Sequence, residues 1–232
     1  MRTLEDYKKY MDFCFRNMDY RSFDKKEPLN RYHTFKYCFD YLNTLETCNV
    51  LEMGTSRSFV DGRFPGCNSN DTKYWEPNNP EKWDFGAGCF TYLCAEQVPK
   101  CKLTTLDLIS SHIRRCKHMT QNFDNITYVI SPSEGHLRRL EEKQDLIYMD
   151  TGDMTPIEPV AQLHLREAKL IVERDLLNEG GLILIDDVRN PTPKKHGETS
   201  HFGKAKYSIP YFLENGFELV MDEYQVILKK KD

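Results

Sequence analysis

Three acidic residues in this 232-residue chain stand directly after apolar segments: Asp150 after one, and Asp186 and Asp187 after another. Short apolar segments of this kind are typical of buried parallel strands. If the two strands are neighbours, the three carboxylates lie together and raise each other's pKa unless a cation or a proton intervenes. Such an all-oxygen set suits Mg²⁺, Mn²⁺ or Ca²⁺ rather than zinc. Two interpretations stay open: a divalent-cation site, or one Asp that caps a helix and another that pairs with Arg189.

A glycine-containing turn follows the first apolar segment. The chain has the pattern Glu-x-Gly-Thr-Ser over residues 52–56, and glycine recurs just before the next helix, after a long polar insertion at 57–85. Glycine lets the backbone approach a ligand closely, as nucleotide-binding turns do. We interpret these residues as one ligand-binding turn split by the insertion; an ordinary strand-to-helix turn is the alternative. The candidate cofactor contacts are Glu52, Gly54, Thr55, Ser56, Gly86 and Gly88.

Two further polar residues end neighbouring strand candidates. Asp107 ends the second, where a carboxylate can accept hydrogen bonds from ribose hydroxyls, although Asp is also a frequent helix cap. Ser133 follows the third, where it could face an adenine or cap the next helix. Both are therefore candidates for contact with a nucleoside.

The histidines divide into two groups. His112 and His164 lie on predicted helices, where a solvated helix face is the favoured interpretation over a metal ligand. His196 and His201 lie in a polar loop, 189–206, that follows the fifth strand candidate and overhangs the ligand edge. They are candidate proton acceptors, with plain surface positions as the alternative.

These residues can meet only in a fold that brings several strand ends together. The sequence has the alternating strand and helix pattern of such a fold. Apolar segments alternate with amphipathic helices, which favours parallel strands joined by right-handed crossovers. The predicted parallel strands span 49–53, 103–108, 126–131, 145–150 and 182–187. The predicted helices between them span 87–97, 110–122, 134–143 and 159–177, the last closed by a glycine stop at 178–181. Two strands, 217–222 and 224–228, end the chain as a pair, and two amphipathic helices within 4–46 begin it.

Composition narrows the function classes. The 36 acidic and 32 basic residues give a net charge of −4, which argues against sequence-independent nucleic-acid binding. The longest apolar runs are far too short to span a membrane. Eight cysteines occur without a Cys-x-x-Cys pair, and the first residues do not resemble a signal peptide. We therefore expect reduced thiols and a cytoplasmic location.

In their order and spacing, these motifs resemble the class I S-adenosylmethionine-dependent methyltransferases over about residues 46–232. The matching features are the turn at 52–56, Asp107, the apolar strand ending at Asp150, and Gly-Gly-Leu-Ile-Leu-Ile-Asp-Asp at 180–187. The resemblance implies an α/β, Rossmann-like, doubly wound sheet of seven mostly parallel strands with a C-terminal antiparallel pair. An N-terminal helical cap, 1–46, then precedes a methyltransferase domain, 47–232, with insertions at 57–85 and 189–206.

The pair Asp186-Asp187, together with Asp150, resembles the acidic set of the metal-dependent O-methyltransferases that act on sugar hydroxyls of macrolide or aminocoumarin antibiotics. The resemblance implies that Glu52 and Gly54 lie near the methionine part of the cofactor, Asp107 on the ribose and Ser133 near the adenine. It also implies a divalent cation held by Asp150, Asp186 and Asp187. The chain departs from the family at the insertion 57–85, which leaves open whether Gly86 or Gly88 contacts cofactor. The family's acid after the third strand is replaced by Ser-Pro-Ser at 131–133.

The expected function is transfer of a methyl group from S-adenosylmethionine to a hydroxyl of a sugar or glycan, assisted by Mg²⁺ or Mn²⁺. Asp150, which is also a candidate cofactor contact, is the first candidate to accept the hydroxyl proton, with His201 and His196 as alternates. A catechol-like or other small acceptor is an alternative, and a non-catalytic binding module is another. A nicotinamide-dependent oxidoreductase is disfavoured because the Gly-x-Gly-x-x-Gly fingerprint is missing. The helical cap could be a lid, the interface of a homodimer, or a layer packed against the sheet, and we favour packing with a partial lid.

Overall fold

The computed structural model describes residues 2–15, 30–57, 71, 73, 75–87, 89–153, 156–188 and 203–231. The strands are β1 (Cys48–Met53), β2 (Cys101–Asp107), β3 (Ile126–Ile130), β4 (Gln144–Met149), β5 (Leu177–Ile185), β6 (Phe217–Asp222) and β7 (Val226–Lys230). The α-helices are α1 (Leu4–Phe15), α2 (Tyr32–Thr44), α3 (Phe90–Gln97), α4 (Ser110–Met119), α5 (Ser133–Leu137), α6 (Ile157–Glu173) and α7 (Ser208–Glu214). Short 3₁₀ turns occur at Pro80–Lys82, Phe85–Ala87 and Gly203–Ala205. Within these ranges, no helix combines the length and the apolar character needed to cross a membrane.

The seven strands form one sheet in the order β3-β2-β1-β4-β5-β7-β6. The first five strands pair in parallel, whereas β7 runs antiparallel to both β5 and β6. The predicted doubly wound sheet with its C-terminal antiparallel pair is therefore confirmed. Strand order reverses between β1 and β4, and such a switch point opens a crevice at the carboxyl ends of the strands.

Each central strand contributes to two hydrophobic cores because successive side chains point to opposite faces of the sheet. Val50 and Leu146 pack on one face with buried residues of α1, α2 and α3. Leu51, Ile147 and Ile183 pack on the other face with buried residues of α6 and α7. Both faces of the sheet are covered, which explains why the strands are continuously apolar in the sequence.

The N-terminal helices share the first of these cores. The four apolar residues at helical spacing in α2 are all buried, as the periodicity predicts: Tyr32, Phe35, Phe39 and Leu42. The Phe35 ring lies 6.1 Å, centroid to centroid, from the ring of Tyr148 in β4. The cap therefore packs directly on the sheet, next to the strand ends.

Several element boundaries differ from the prediction, and two of the differences are large. The expected glycine stop at 178–181 is wrong, because these residues belong to β5, which begins at Leu177. The chain instead turns at Asp175, whose φ of 52° lies in the left-handed region that Asp tolerates better than most residues. Helix α5 ends at Leu137, although the sequence pattern predicts a helix to residue 143.

Candidate functional site

A cavity of about 570 Å³ lies at the carboxyl edge of the sheet, across the ends of β1 to β5. Its volume is in the range of sites for cofactors and drug-sized ligands. The lining residues run along the edge from Ser133 after β3, through Asp107 and Gly54, to Asp150 and then Asp186. One space therefore joins the residues predicted to bind a cofactor with those predicted to bind a cation.

Gly54 forms the floor of this cavity at the switch point. Its N–H donates to the Leu106 carbonyl at 2.9 Å, and its φ of +96° is rarely adopted by residues with a side chain. A Cβ at this position would lie 2.3 Å from the backbone oxygen of Asp150. Only glycine allows the turn after β1 to pack so closely against the turn after β4.

The Asp107 end of the cavity combines a carboxylate with exposed apolar side chains. Asp107 accepts the Ile109 N–H at 2.7 Å, and its Oδ2 lies 3.1 Å from Nδ1 of His112. Leu108 and Ile109, which also line the cavity, are 67% and 49% exposed. An apolar surface beside a carboxylate suits a nucleoside, because the base packs on the apolar groups while ribose hydroxyls donate to the carboxylate.

A buried polar network supports the wall between the two ends. Ser133 and Thr151 both donate to the Glu167 carboxyl, and His164 donates from Nε2 to the Thr151 carbonyl at 3.0 Å. Burial raises the pKa of Glu167 to about 7 and lowers the pKa of His164 to about 3. The expectation that His164 lies on a solvated helix face is wrong, because the tertiary fold buries this side of α6 completely.

Glu52 and Ser56 are placed behind the cavity rather than on its surface. Glu52 is 1% exposed and accepts hydrogen bonds from Thr91 and Ser56. Burial raises the pKa of Glu52 to about 7. Thr55, by contrast, lines the cavity and accepts a hydrogen bond from the Thr105 hydroxyl at 2.7 Å. The structure thus brings Thr55 to the cavity and makes Glu52 a support for the turn.

The three predicted aspartates do meet at the other end of the cavity. One carboxylate oxygen from each of Asp150, Asp186 and Asp187 lies within 4.8 Å of the others. Arg31, the residue before α2, binds Asp186 through Nε at 3.0 Å and through a terminal nitrogen at 2.7 Å. Gln225 also donates to Asp186, at 2.8 Å. The Arg31 guanidinium holds the pKa of Asp186 at about 2, although burial opposes this.

Lys204 binds the remaining two carboxylates. Its Nζ lies 2.9 Å from Oδ1 of Asp150 and 2.8 Å from Oδ2 of Asp187, and its side chain is only 2% exposed. Tyr224 donates to the other oxygen of Asp187. Burial raises the pKa of Asp150 well above its ordinary value, and the Lys204 ammonium opposes that rise. We call these three aspartates, together with Arg31 and Lys204, the charge cluster.

The charge cluster has the oxygen chemistry of a Mg²⁺ or Mn²⁺ site, but protein donors already use its oxygens. Both oxygens of Asp186, both of Asp187 and one of Asp150 accept hydrogen bonds from protein groups. A divalent cation in contact with them would lie beside the Lys204 ammonium, and like charges repel strongly in a buried site. As arranged, these residues do not fit a divalent cation together with Lys204.

Several predicted positions fall elsewhere. His196, His201 and Gly88 lie outside the residues that the structure describes, whereas Gly86 lines the cavity. Sequence reasoning missed Arg31, whose partner Asp186 is 155 positions away. Lys204 falls within the polar loop 189–206, where no local sequence pattern distinguishes it from the other lysines.

Comparisons with known proteins give similarity in structure only. A scan against protein-family models finds no match, and a search of curated proteins finds none either. Among solved structures, the chain is similar to the S-adenosylhomocysteine-bound methyltransferase PaMTH1 from Podospora anserina (TM-score 0.56, 13% identity, 100% of this chain and 97% of that one). It is similar to a provisionally assigned caffeoyl-CoA O-methyltransferase from Staphylococcus aureus (0.55, 12%, 100% and 93%). It is also similar to the N-methyltransferase NodS from Bradyrhizobium japonicum WM9 (0.53, 16%, 86% and 96%). The chain thus has the Rossmann-like fold of the class I S-adenosylmethionine-dependent methyltransferases.

Proposed function

We propose that this chain is an S-adenosylmethionine-dependent methyltransferase that methylates a hydroxyl group, with a sugar or glycan as the first acceptor class. The observation that carries the proposal is one continuous cavity at the switch point. Its end at Asp107 suits a nucleoside, and its end at Asp150 is charged. The first end suits the cofactor and the second suits an acceptor hydroxyl. The SAH-bound structure of PaMTH1 supports the choice of cofactor.

Several residues at the Asp107 end of the cavity have the chemistry to bind the cofactor. Asp107 would accept hydrogen bonds from the ribose hydroxyls, and Leu108 and Ile109 would pack on the adenine. Ser133, held by Glu167, would place its hydroxyl at the edge of the base. When bound, S-adenosylmethionine supplies a methyl group made electrophilic by its positively charged sulfur.

At the acceptor end, Asp150 is the proton acceptor that we favour. As the acceptor oxygen forms its bond to the methyl carbon, the carbon–sulfur bond breaks and the hydroxyl proton passes to the Asp150 carboxylate. We assign the proton to Oδ2, because Oδ1 accepts from Lys204. Burial makes the Asp150 carboxylate a stronger base by raising its pKa, and the Lys204 ammonium opposes that rise and favours the ionised form.

The groups around Asp150 support the proposed acceptor class. Arg57, Asp153 and Asp187 also line the cavity, so this end offers many hydrogen-bonding groups to a ligand with several hydroxyls. A catechol-like or other small acceptor is the second candidate. The oxygen set supports a role for Mg²⁺ or Mn²⁺, whereas the Lys204 contacts oppose it, so we assign no step to a metal.

Two further features complete the proposal. The described cysteines carry free thiols and all except Cys14 are buried, which supports a reducing, cytoplasmic compartment. The net charge of −4 supports a small-molecule or glycan acceptor over nucleic acid.

The test is calorimetric titration with S-adenosylhomocysteine, followed by methyl transfer from labelled S-adenosylmethionine to panels of sugars and catechols. We expect binding by the wild type and at least about ten-fold weaker binding by Asp107→Asn. Asp124→Asn is the matched control, because Asp124 is exposed before β3, at the opposite edge of the sheet. Absence of binding at millimolar S-adenosylhomocysteine would refute the proposal, and binding without transfer to any acceptor would favour a binding module.

A further inference from the structure

The charge cluster contains a cation of its own where the sequence predicts a metal ion. We propose that the Lys204 ammonium permanently takes the cation position between Asp150 and Asp187, so that the protein neither binds nor needs a divalent cation there. This inference deepens the proposed function and rests on it for the role of the charge cluster in acceptor chemistry. The position of Lys204 itself rests on geometry alone.

The contacts of Lys204 are those of a buried counter-ion rather than of a surface lysine. Its Nζ contacts a carboxylate oxygen on each side, at 2.9 Å and 2.8 Å, and almost none of the side chain is exposed. A buried ammonium is tolerated only when it is paired in this way. Removal of Lys204 would therefore leave two partly buried carboxylates, Asp150 and Asp187, without their ammonium partner.

The backbone fixes the lysine in this position. Gly203, at φ +45°, lies so close to the preceding strand end that a Cβ would be 2.1 Å from the Asp187 carbonyl oxygen. Asp187 itself has a φ of 54°, in the left-handed region, which is a strained conformation for a residue with a side chain. Lys204 is the middle residue of the 3₁₀ turn Gly203–Ala205, which packs against α6. This close contact holds the backbone at Lys204 beside the residues that follow β5.

Other protein groups already neutralise or donate hydrogen bonds to the carboxylates of the charge cluster. Arg31 neutralises Asp186 through two hydrogen bonds, and Gln225 donates to the same carboxylate. Tyr224 donates to Asp187. Two buried cations thus face three carboxylates, and the Lys204 ammonium supplies the local positive charge that a metal-dependent enzyme obtains from its ion.

The experiment titrates the full-length protein with Mn²⁺ alone and follows free Mn²⁺ by electron paramagnetic resonance. The variants are Lys204→Met and, as a matched control, Lys206→Met, which removes an exposed lysine paired with Glu158. We expect no binding tighter than about millimolar for the wild type and Lys206→Met, and at least about ten-fold tighter binding for Lys204→Met. Addition of Asp187→Asn to Lys204→Met should abolish the gained site.

Two results would overturn the inference: a wild type that binds Mn²⁺ as tightly as Lys204→Met, or a folded Lys204→Met without a gained site. If Lys204→Met does not fold, the thermal unfolding of the wild type tests the inference instead. An unfolding temperature that is equal in Mn²⁺ and in chelator supports the inference, and one that Mn²⁺ raises overturns it. S-adenosylhomocysteine binding is measured on the same samples, so failure of the proposed function is seen separately.

Discussion

The buried carboxyl of Glu167 should make the protein less stable as the pH rises through neutrality. Glu167 is fully buried, and burial raises its pKa from an ordinary 4.5 to about 7. Between these two values the native state keeps the proton and the unfolded chain has lost it. Stability therefore falls with increasing pH: the contribution is complete below the unfolded pKa and is lost as the pH passes the folded pKa. A shift of this size corresponds to about 3 kcal/mol of unfolding free energy.

Glu167→Gln removes this titration while keeping the shape of the side chain and a carbonyl oxygen for the hydroxyls of Ser133 and Thr151. We expect the difference in unfolding free energy between variant and wild type to change by about 3 kcal/mol from about pH 4.5 to about pH 8, in favour of the variant at high pH. Urea denaturation followed by circular dichroism at each pH measures it. Glu142→Gln, which removes an exposed carboxylate, should follow the wild-type curve. Parallel curves for Glu167→Gln and wild type would show that Glu167 is not held neutral by the fold.

Two further substitutions test other parts of the site. Arg31→Met leaves Asp186 buried without its main counter-ion, so we expect a loss of about 3–5 kcal/mol in urea unfolding. Adding Asp186→Leu should recover part of that loss, and an additive double variant would contradict the pairing. Gly54→Ala places a methyl group against the Asp150 carbonyl, and we expect at least about ten-fold weaker S-adenosylhomocysteine binding. An unchanged dissociation constant in calorimetry would contradict the close packing at the switch point.

The strands could be predicted because burial on both faces produces continuous apolar runs, which the sequence displays directly. The start of β5 could not, since Asn-Glu-Gly-Gly at 178–181 has the composition of a helix stop and only pairing with β4 reveals a strand. Burial of His164 was missed for a similar reason: helical spacing identifies a face but not the element that covers it. Local patterns fail wherever tertiary contacts decide the outcome.

In the candidate site, too, local patterns predict some residues, whereas tertiary contacts determine others. Asp107, Asp150 and Asp186 could be placed at one edge because parallel strands align their carboxyl ends. Their partners could not be predicted, since Arg31 lies 155 residues from Asp186 and Lys204 lies 54 residues from Asp150. A carboxylate cluster in a sequence predicts a need for positive charge, but it does not say whether a metal ion or a side chain meets that need.

Both buried cations come from outside the parallel strands, and this bears on the role of the N-terminal helices. Arg31 enters the charge cluster from the start of α2, where it also donates to the carbonyls of Phe85 and Gly86 at 3.0 Å. It therefore links the cap, the segment that returns from the first insertion and the end of β5. Without the cap, Asp186 would be a buried carboxylate lacking its guanidinium, and the sheet would lose the aromatic cover provided by Phe35. For these reasons Arg31 and helix α2 contribute to the site as well as to the core, and a chain that begins at residue 47 should not retain the geometry of the charge cluster.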